Sequence, residues 1–212
     1  MLKLSLMGPQ GSGKGTQAEL LSHHFGLPAI TMSTLLKEEA GRAGPDAQRL
    51  AQLMKAGKLV PFEVTVRLLA QRLAAADAQK GFILDGFPRD RDQQDAFAKI
   101  SDLTHVIFLD LTDEQAVERI RGRLICDGCE MVYHDIWNPP KEKDVCDRCG
   151  KILRHREDDT PGVIRERLMT YHRETEPVMR HYREQGILHW VDASNPIPVV
   201  HAAILNILKE DS

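Results

Sequence analysis

A glycine-rich stretch near the N-terminus constrains this chain more than any other feature of its sequence. Residues 8–16 read Gly-Pro-Gln-Gly-Ser-Gly-Lys-Gly-Thr, between an alternating strand pattern at residues 2–7 and an apolar helical pattern that opens at Thr16. Glycines let successive backbone N–H groups point at one anion, and the positive end of the following helix favours negative charge. The order of strand, loop and helix therefore predicts a phosphate-binding loop in which Lys14 supplies a cation for the β- and γ-phosphates.

The residue after this lysine departs from the general form of such loops. Ser or Thr usually follows the lysine and binds magnesium. Here Gly15 occupies that position, and the hydroxyl comes one residue later, at Thr16. Magnesium that arrives with a nucleotide therefore needs another ligand from the chain. A glycine turn that binds nothing is the alternative, and the flanking strand and helix argue against it.

Size and composition indicate one main domain without a basic or membrane-embedded character. A chain of 212 residues can hold one α/β core with an insertion. Charged residues make up 28% and the net charge is −3, which gives no reason to expect nucleic acid or membrane as a partner. No apolar run approaches the roughly 20 residues of a membrane span, and the N-terminus lacks the layout of a signal peptide. We expect a soluble, cytoplasmic protein.

Short apolar segments alternate with longer helical patterns along most of the chain. Thr112-Asp113-Glu114-Gln115 is a capping box that opens a helix towards Arg123. The alternation is typical of a doubly wound parallel sheet. Strands are predicted at residues 81–85, 104–110 and 188–192, and further helices at residues 64–76 and 198–209.

The stretch from residue 124 to residue 161 interrupts this alternation and contains all four cysteines. Cys126 and Cys129 form one Cys-x-x-Cys pair, Cys146 and Cys149 form another, and 16 residues separate the pairs. This spacing is typical of a structural zinc site, in which four thiolates leave no open position for chemistry. The stretch is therefore predicted to be a small inserted module held together by zinc.

Three alternatives to four-thiolate zinc stay open. Disulfides would need an oxidising compartment, whereas the cytosol keeps thiols reduced. Iron or cobalt could occupy the same thiolates. His134 lies nearby and could replace one thiolate, although a packing or surface role is the favoured interpretation.

Three further segments point to phosphate chemistry. They are Asp85-Gly86-Phe87-Pro88-Arg89 after a predicted strand, Arg119 with Arg123 near a helix end, and Arg156, Asp158, Asp159, Arg165 and Arg167 after the cysteine module. Together with the glycine loop, these motifs closely resemble the adenylate kinase family in its bacterial long-lid form. The resemblance covers essentially the whole chain, and the motifs occur in the family's order and at its spacings.

The resemblance implies a P-loop core with a five-stranded parallel sheet flanked by helices. It also implies a helical insertion that binds a nucleoside monophosphate, and a lid stapled by zinc. Residues 1–30, 61–121 and 162–212 would form the core, residues 31–60 the monophosphate-binding segment and residues 122–161 the lid. A monomer is expected.

The implied reaction is the reversible, Mg²⁺-dependent transfer of the terminal phosphoryl group of ATP to AMP, which gives two ADP. The residues agree with this chemistry, because bringing two polyanions together needs charge neutralisation and positioning rather than a protein nucleophile. Arginine suits this task, since its guanidinium binds phosphate oxygens in bidentate fashion and keeps its charge.

The resemblance assigns residues to the donor nucleotide and to the transferring group. Arg123, Arg156 and Arg167 would surround that group, Arg119 would stack near the ATP adenine, and Asp158 and Asp159 would fix the lid arginines. Asp85 is expected to anchor magnesium through water, which answers the question left by Gly15. The ATP-binding residues would be Gly11, Ser12, Gly13, Lys14, Gly15, Thr16, Arg119, Arg123, Val132, Tyr133 and the backbone of Asn195.

The resemblance also assigns an acceptor site. Arg89 would clamp the AMP phosphate, and Gln93 would bind the adenine edge, since an amide can both donate and accept. The full set comprises Met32, Lys37, Lys58, Leu59, Val60, Gly86, Phe87, Pro88, Arg89, Gln93, Arg156 and Arg167.

The start of the acceptor segment departs from the family pattern. Residues 31–37 read Thr-Met-Ser-Thr-Leu-Leu-Lys where the family commonly has Ser-Thr-Gly-Asp-Met-Leu-Arg. Lys37 keeps a charge but loses the planar fork of arginine, so weaker AMP binding is expected. Met32 replaces a hydroxyl beside the acceptor base, which leaves base specificity more open.

Two rival functions stay open from the sequence. One is a kinase of the same fold that acts on another monophosphate, such as UMP or CMP. The other is a nucleotide-binding regulator whose zinc module contacts a partner. Acidic residues in the module, including Glu130, Asp135 and Glu142, argue against a nucleic-acid partner.

Overall fold

The structure, a computed structural model, describes residues 1–55, 60–156 and 159–210. Its strands are β1 (Lys3–Met7), β2 (Ala29–Thr31), β3 (Phe82–Asp85), β4 (His105–Asp110), β5 (Arg123–Cys126), β6 (Val132–His134), β7 (Leu153–Arg154) and β8 (Leu188–Asp192). Its α-helices are α1 (Lys14–Phe25), α2 (Met32–Ala40), α3 (Pro45–Lys55), α4 (Phe62–Leu73), α5 (Arg91–Phe97), α6 (Asp113–Arg121), α7 (Pro161–Thr170), α8 (Glu176–Glu184) and α9 (Ile197–Glu210). A 3₁₀ turn lies at Ala78–Lys80 and a π-helical turn at Tyr171–Thr175. Within these ranges, no helix is both long and apolar enough to cross a membrane.

Five parallel strands form the central sheet, in the order β2-β3-β1-β4-β8. This confirms the predicted sheet. Leu6 of β1 pairs with Asp85 on one side and with Ile107 on the other. Strands β3 and β4 therefore lie on opposite sides of β1, which makes the end of β1 a topological switch point. Ligands of open parallel sheets bind in the crevice at such a point.

The sheet is apolar on both faces because helices cover both. Ile83 belongs to a core cluster with side chains of α1, α6, α7 and α9. Its neighbours Phe82 and Leu84 face the other way, towards α2, α4 and α5. Strands buried on both sides are typical of parallel sheets. Each large aliphatic side chain that is buried this way contributes about 1.5–3 kcal/mol.

Two helix boundaries differ from the sequence prediction for local reasons. Helix α1 begins at Lys14 rather than Thr16, since Gly13 adopts a left-handed conformation (φ 90°) that turns the chain directly into the helix. The capping box at Thr112 is confirmed, with Gln115 N–H donating to Thr112 Oγ1 at 3.3 Å. Its helix stops at Arg121, because Gly122 ends it and Arg123 begins β5.

The cysteine module has a small core of its own, which the sparse apolar pattern did not predict. Strands β5, β6 and β7 form an antiparallel sheet in the order β6-β5-β7. Leu124, Tyr133 and Leu153 are buried together with Cys126 and Cys146. A module of this size has few large apolar side chains, and the buried cysteines fill part of its core.

Candidate active site

Lys14 lies over its own loop at the bottom of the crevice. Its Nζ donates to the carbonyl oxygens of Gly8 at 2.8 Å and Pro9 at 2.7 Å, and lies 3.4 Å from Ser12 Oγ. These contacts fold the side chain back over the glycine loop. The ammonium is therefore presented where phosphate oxygens would meet the backbone N–H groups of the loop.

The surroundings of Lys14 make it easier to deprotonate. Desolvation lowers its pKa to about 8, and although Asp85 opposes this change, the positive charges of Arg89 and Arg123 add to it. Several cations thus converge on one place without enough negative charge to balance them. Such an arrangement favours a polyanionic ligand.

Asp85 ends β3 directly beside the loop, as the register with β1 requires. Burial raises the pKa of its carboxyl group, while Lys14 and Arg89 act to lower it. A Cβ atom on Gly15 would lie 3.4 Å from Asp85 Oδ2. A side chain after the lysine would therefore contact this carboxylate, whereas glycine leaves the space beside it open. A carboxylate beside a phosphate loop is also a donor that Mg²⁺ accepts.

The Arg89 side chain is exposed at the crevice, close to Asp85 and Arg167. Its Nε donates to the carbonyl of Gly86 at 2.8 Å, and its backbone N–H donates to Gln93 Oε1 at 2.9 Å. Desolvation lowers the pKa of Arg89 from its ordinary value, and Asp85 opposes the shift. The structure thus brings together Asp85, Arg89 and Gln93 as the sequence predicted.

Asp159 gathers the arginines of the lid side. Its carboxylate accepts from Arg123 Nε at 2.9 Å and from Arg123 NH2 at 2.5 and 2.7 Å, and Arg167 NH1 lies 3.9 Å away. The Asp159 side chain is only 5% exposed. The Asp159 backbone N–H also donates to the carbonyl of Arg156 at 3.1 Å. The carboxylate therefore holds two guanidinium groups from β5 and α7 towards the glycine loop.

Gln10 belongs to this cluster and was missed by sequence reasoning. With its amide oriented to satisfy its neighbours, its oxygen accepts from Arg167 at 2.9 Å and from Arg123 at 3.1 Å. The position of Gln10 inside the glycine loop was the available signal. Its side chain connects the loop to both arginines.

Arg119 lies at the other end of the crevice, near Asn195. Its NH2 donates to the carbonyl of Ser194 at 3.2 Å, and its guanidinium lies 5.3 Å from the ring centroid of Trp137. The Asn195 side chain donates to Asp192 Oδ2 at 3.0 Å, so its amide is held at the end of β8. Trp137, another residue that the predicted site omitted, covers Arg119 from the lid.

Like Phe87, whose ring is buried in the core, Tyr133 is a predicted site residue whose side chain does not face the crevice. It is buried in the lid, where its hydroxyl lies 3.5 Å from Cys146 Sγ and accepts from the backbone N–H of Asp147 at 2.9 Å. The tyrosine ring therefore supports the cysteine cluster. The Tyr133 side chain is therefore not available to a nucleotide, whereas its backbone and the half-buried Val132 are.

The four cysteine sulfur atoms lie within 4.8 Å of one another. Cys126 and Cys149 are separated by 3.3 Å between sulfurs, and Cys129 and Cys146 by 3.6 Å. Both distances exceed the roughly 2.05 Å of a disulfide bond. They are close to the spacing of about 3.8 Å that four sulfurs adopt around tetrahedral zinc. The donor set therefore fits a closed metal site.

His134 lies outside this cluster. Its Nδ1 accepts from the backbone N–H groups of Ile136 at 3.0 Å and Trp137 at 3.3 Å, and its ring packs on Trp137. A Cβ on Gly122 would clash with the ring at 2.5 Å. These contacts support the packing role that the sequence favoured.

The acceptor segment is helical, as the resemblance implied, and its unusual residues contact one another. Thr31 caps α2 by accepting from Thr34 N–H at 3.2 Å, and the Thr31 hydroxyl lies within 3.1 Å of the hydroxyls of Ser33 and Thr34. Met32 is half-buried against the core. Val60 precedes α4, whereas Lys58, Leu59 and Asp158 lie outside the described residues.

Lys37 makes a contact across the crevice. Its ammonium donates to Glu130 in the lid, between Cys129 and β6. Both side chains remain more than half exposed. This charge pair therefore joins the acceptor segment to the lid.

Comparisons with known proteins agree with this geometry. The adenylate kinase family model matches residues 6–187. Among curated relatives, the adenylate kinases of Archaeoglobus fulgidus and Methanosarcina barkeri are each 38% identical over 214 residues, which covers 99% of both chains. The adenylate kinase of Syntrophotalea carbinolica is 40% identical over 212 residues, or 98% of both chains.

The match extends over the loop, the acceptor segment and the lid alike. A nucleoside monophosphate kinase that transfers a phosphoryl group from ATP to AMP, giving two ADP, accounts for the glycine loop and for the arginines around it. This chain belongs to the adenylate kinase family.

Proposed function

We propose that ATP binds over the glycine loop and AMP over the Gly86–Arg89 loop, with the transferred group between them. The convergence of Lys14, Asp85 and Arg89 at neighbouring strand ends carries this assignment. Two phosphate-binding elements side by side suit a reaction that joins a donor and an acceptor phosphate.

On the donor side, residues 11–16 would hold the β- and γ-phosphates through backbone N–H groups and the Lys14 ammonium. Arg119 would stack on the adenine, and the backbone near Asn195 would bind its edge. The hydrogen bond from Arg119 to Ser194 supports this, since it places the guanidinium beside that backbone. Val132 and Tyr133 would contribute backbone contacts from the lid.

On the acceptor side, Arg89 would bind the AMP phosphate, assisted by Lys37, Arg156 and Arg167. Gln93 would change partners to bind adenine, since its side-chain oxygen now accepts from Arg89 N–H. Met32, Lys58, Leu59 and Val60 would complete the site together with Gly86, Phe87 and Pro88.

In the transfer step, an AMP phosphate oxygen forms a bond to the γ-phosphorus of ATP. The bond from that phosphorus to the β–γ bridging oxygen breaks, and the electron pair leaves with ADP. The attacking oxygen is already anionic, so no general base is required. Arg123 and Arg167 would stabilise charge on the transferring group, with Asp159 holding them in place.

Mg²⁺ arrives with ATP and neutralises phosphate charge. We propose that Asp85 holds it through water. The carboxylate lies beside Gly15, where glycine leaves the neighbouring space open. Thr16 follows in the first turn of α1 and supplies the hydroxyl of the loop.

We propose that Cys126, Cys129, Cys146 and Cys149 bind a structural Zn²⁺. Four thiolates close the coordination sphere, so the ion would fold the lid and leave the chemistry to the arginines. The lid, residues 122–161, would then close as one body over the core, residues 1–30, 61–121 and 162–212. Residues 31–60 would close from the acceptor side.

We further propose a cytoplasmic monomer without a nucleic-acid or membrane partner. Acidic side chains offset the basic ones in the lid, which therefore lacks a continuous basic surface. AMP is the favoured acceptor. A broader base specificity is the second candidate, because Met32 and Ser33 depart from the family pattern.

Arginine variants test the residue assignment. We expect Arg89→Ala and Arg123→Ala each to reduce turnover by at least about 100-fold with the fold intact, because arginines on a transferring phosphoryl group are worth about 10³–10⁵ in rate. Steady-state ADP formation measures this. Arg121→Ala is the matched control, since Arg121 is exposed on the same segment. A loss below tenfold would remove that residue from the site.

A further inference from the structure

The loop that presents Arg89 is held by two hydroxyl groups from distant parts of the chain. Ser5 Oγ donates to the carbonyl of Phe87 at 2.6 Å, and Thr175 Oγ1 donates to the carbonyl of Arg89 at 2.7 Å. The loop lies between β3 and α5. Because loop carbonyls lack partners from regular structure, such side-chain donors decide where the backbone lies.

Ser5 is the polar exception in the middle of β1. It is fully buried between Leu4 and Leu6, which face the core. A buried hydroxyl destabilises a fold unless it forms a hydrogen bond. The bond to Phe87 satisfies Ser5 only while the loop keeps its present position. The central strand and the acceptor loop are therefore coupled.

Thr175 approaches the same loop from the opposite direction. It is the last residue of the π-helical turn that joins α7 to α8, and it is half-buried. Helix α7 carries Arg167, which lies beside Asp159. The bond from Thr175 therefore ties the backbone of Arg89 to the helix that carries another phosphate-site arginine. Local π-helical turns occur frequently at functional sites.

We propose that Ser5 and Thr175 are positioning residues for Arg89, and this rests on the proposed role of Arg89 in binding the acceptor phosphate. Both hydroxyls act on the loop backbone, and the guanidinium is then braced within the loop by its bond to the Gly86 carbonyl. An error of about 1 Å in the position of a group on the reacting phosphate can cost about 100-fold in rate. The inference therefore concerns acceptor use and leaves ATP binding unaffected.

Hydroxyl deletion tests this inference in the full-length enzyme. We expect Thr175→Val and Ser5→Ala each to lower kcat/KM for AMP by about 5- to 30-fold, because each variant removes a hydrogen bond that fixes the loop and lets Arg89 shift. KM for ATP should change less than about twofold, since the donor site is built elsewhere. Thr175→Ser keeps the donor and should restore most of the activity. Thr170→Val, in the last turn of α7, is the matched control and should match wild type.

A double-mutant cycle separates positioning from a general structural role. In an Arg89→Ala background, Thr175→Val should lower kcat/KM for AMP by less than a further factor of about two, because its effect passes through Arg89. The inference is overturned if Thr175→Val and Ser5→Ala leave kcat/KM for AMP within twofold of wild type. It is also overturned if the variants raise KM for ATP as much as they raise KM for AMP. A third contrary result is a loss in kcat/KM for AMP that adds fully to the loss caused by Arg89→Ala.

The same measurements distinguish the inference from the proposed function. If Arg89→Ala loses activity while the hydroxyl variants do not, the role of Arg89 stands and the positioning inference fails. If Arg89→Ala itself loses less than tenfold, the proposed role of Arg89 fails and the inference fails with it.

Discussion

At the scale of single residues, Lys14 shows how the site is prepared for an anion. Its pKa is lowered to about 8, chiefly by desolvation, and two neighbouring arginines add to the shift. The unfolded chain binds this proton more strongly than the folded one. The Lys14 contribution to the free energy of unfolding is therefore unfavourable below about pH 8, and it is relieved as pH rises towards the ordinary lysine pKa.

This shift predicts proton uptake on ATP binding. As pH rises through about 8, Lys14 loses its proton in the free enzyme, and bound phosphate raises its pKa again. Calorimetric titration with ATP at about pH 8.5, in two buffers of different ionisation enthalpy, should reveal net proton uptake. Lys14→Met should abolish it. Buffer-independent heats for the wild type would contradict the assignment.

Lys37 provides a second prediction at this scale. It pairs with Glu130, and a lysine offers a point charge where an arginine would offer a planar fork. We expect Lys37→Arg to lower KM for AMP by about fivefold, the order of one additional hydrogen bond. KM for ATP is the internal control. An unchanged or higher KM for AMP would show that Lys37 does not bind the acceptor phosphate.

At the scale of elements, strand patterns and a capping motif in the sequence predicted several strands and helices of the core. The strand predicted at residues 188–192 is β8 without change, and all five of its residues pair with β4. The capping box at Thr112 fixed the start of α6 through two local hydrogen bonds. The lid sheet was not predicted, since its core depends on cysteines and one tyrosine rather than on an apolar run.

Parts of the site could not be predicted from sequence for a similar reason. The motifs pointed to Arg89 and Arg123, whose residue type suits phosphate. Gln10 and Trp137 carry no such signal, since their roles arise only when the loop, the lid and α6 come together. Side chains that act through tertiary contacts are visible only in the fold.

The lid supplies the prediction at this scale. We expect Cys146→Ser to reduce bound zinc and to lower the melting temperature, because the thiolates hold the small lid core together. Metal analysis and thermal unfolding of the purified protein measure both effects. Ser101→Ala, outside the lid, is the control and should keep the zinc content and melting temperature of the wild type. Unchanged metal content and melting behaviour would contradict the metal site.

At the scale of the whole molecule, two of the contacts between the lid and the rest of the chain are exposed ion pairs. Arg148 pairs with Glu19 of α1 at 3.2 Å, and Lys37 pairs with Glu130. All four side chains are substantially exposed. Exposed ion pairs contribute about 0–1 kcal/mol each. Bound nucleotides, rather than these pairs, are therefore expected to keep the lid closed.

Base selection is expected to depend on the core and on the acceptor segment together. Gln93 stands on α5 of the core and Met32 on α2 of the acceptor segment. Gln93 is suited to adenine because its amide can donate and accept, whereas Met32 packs on any flat base. The whole site is therefore expected to prefer AMP, with Gln93 as the residue that discriminates.

The most direct test is Mg²⁺-dependent ADP formation from ATP with AMP, GMP, CMP and UMP offered separately as acceptors. The account predicts a strong preference for AMP, measured as kcat/KM. Preference for another base would contradict the acceptor assignment and move specificity to residues 31–37. Failure to transfer to any acceptor would contradict the phosphotransferase function itself.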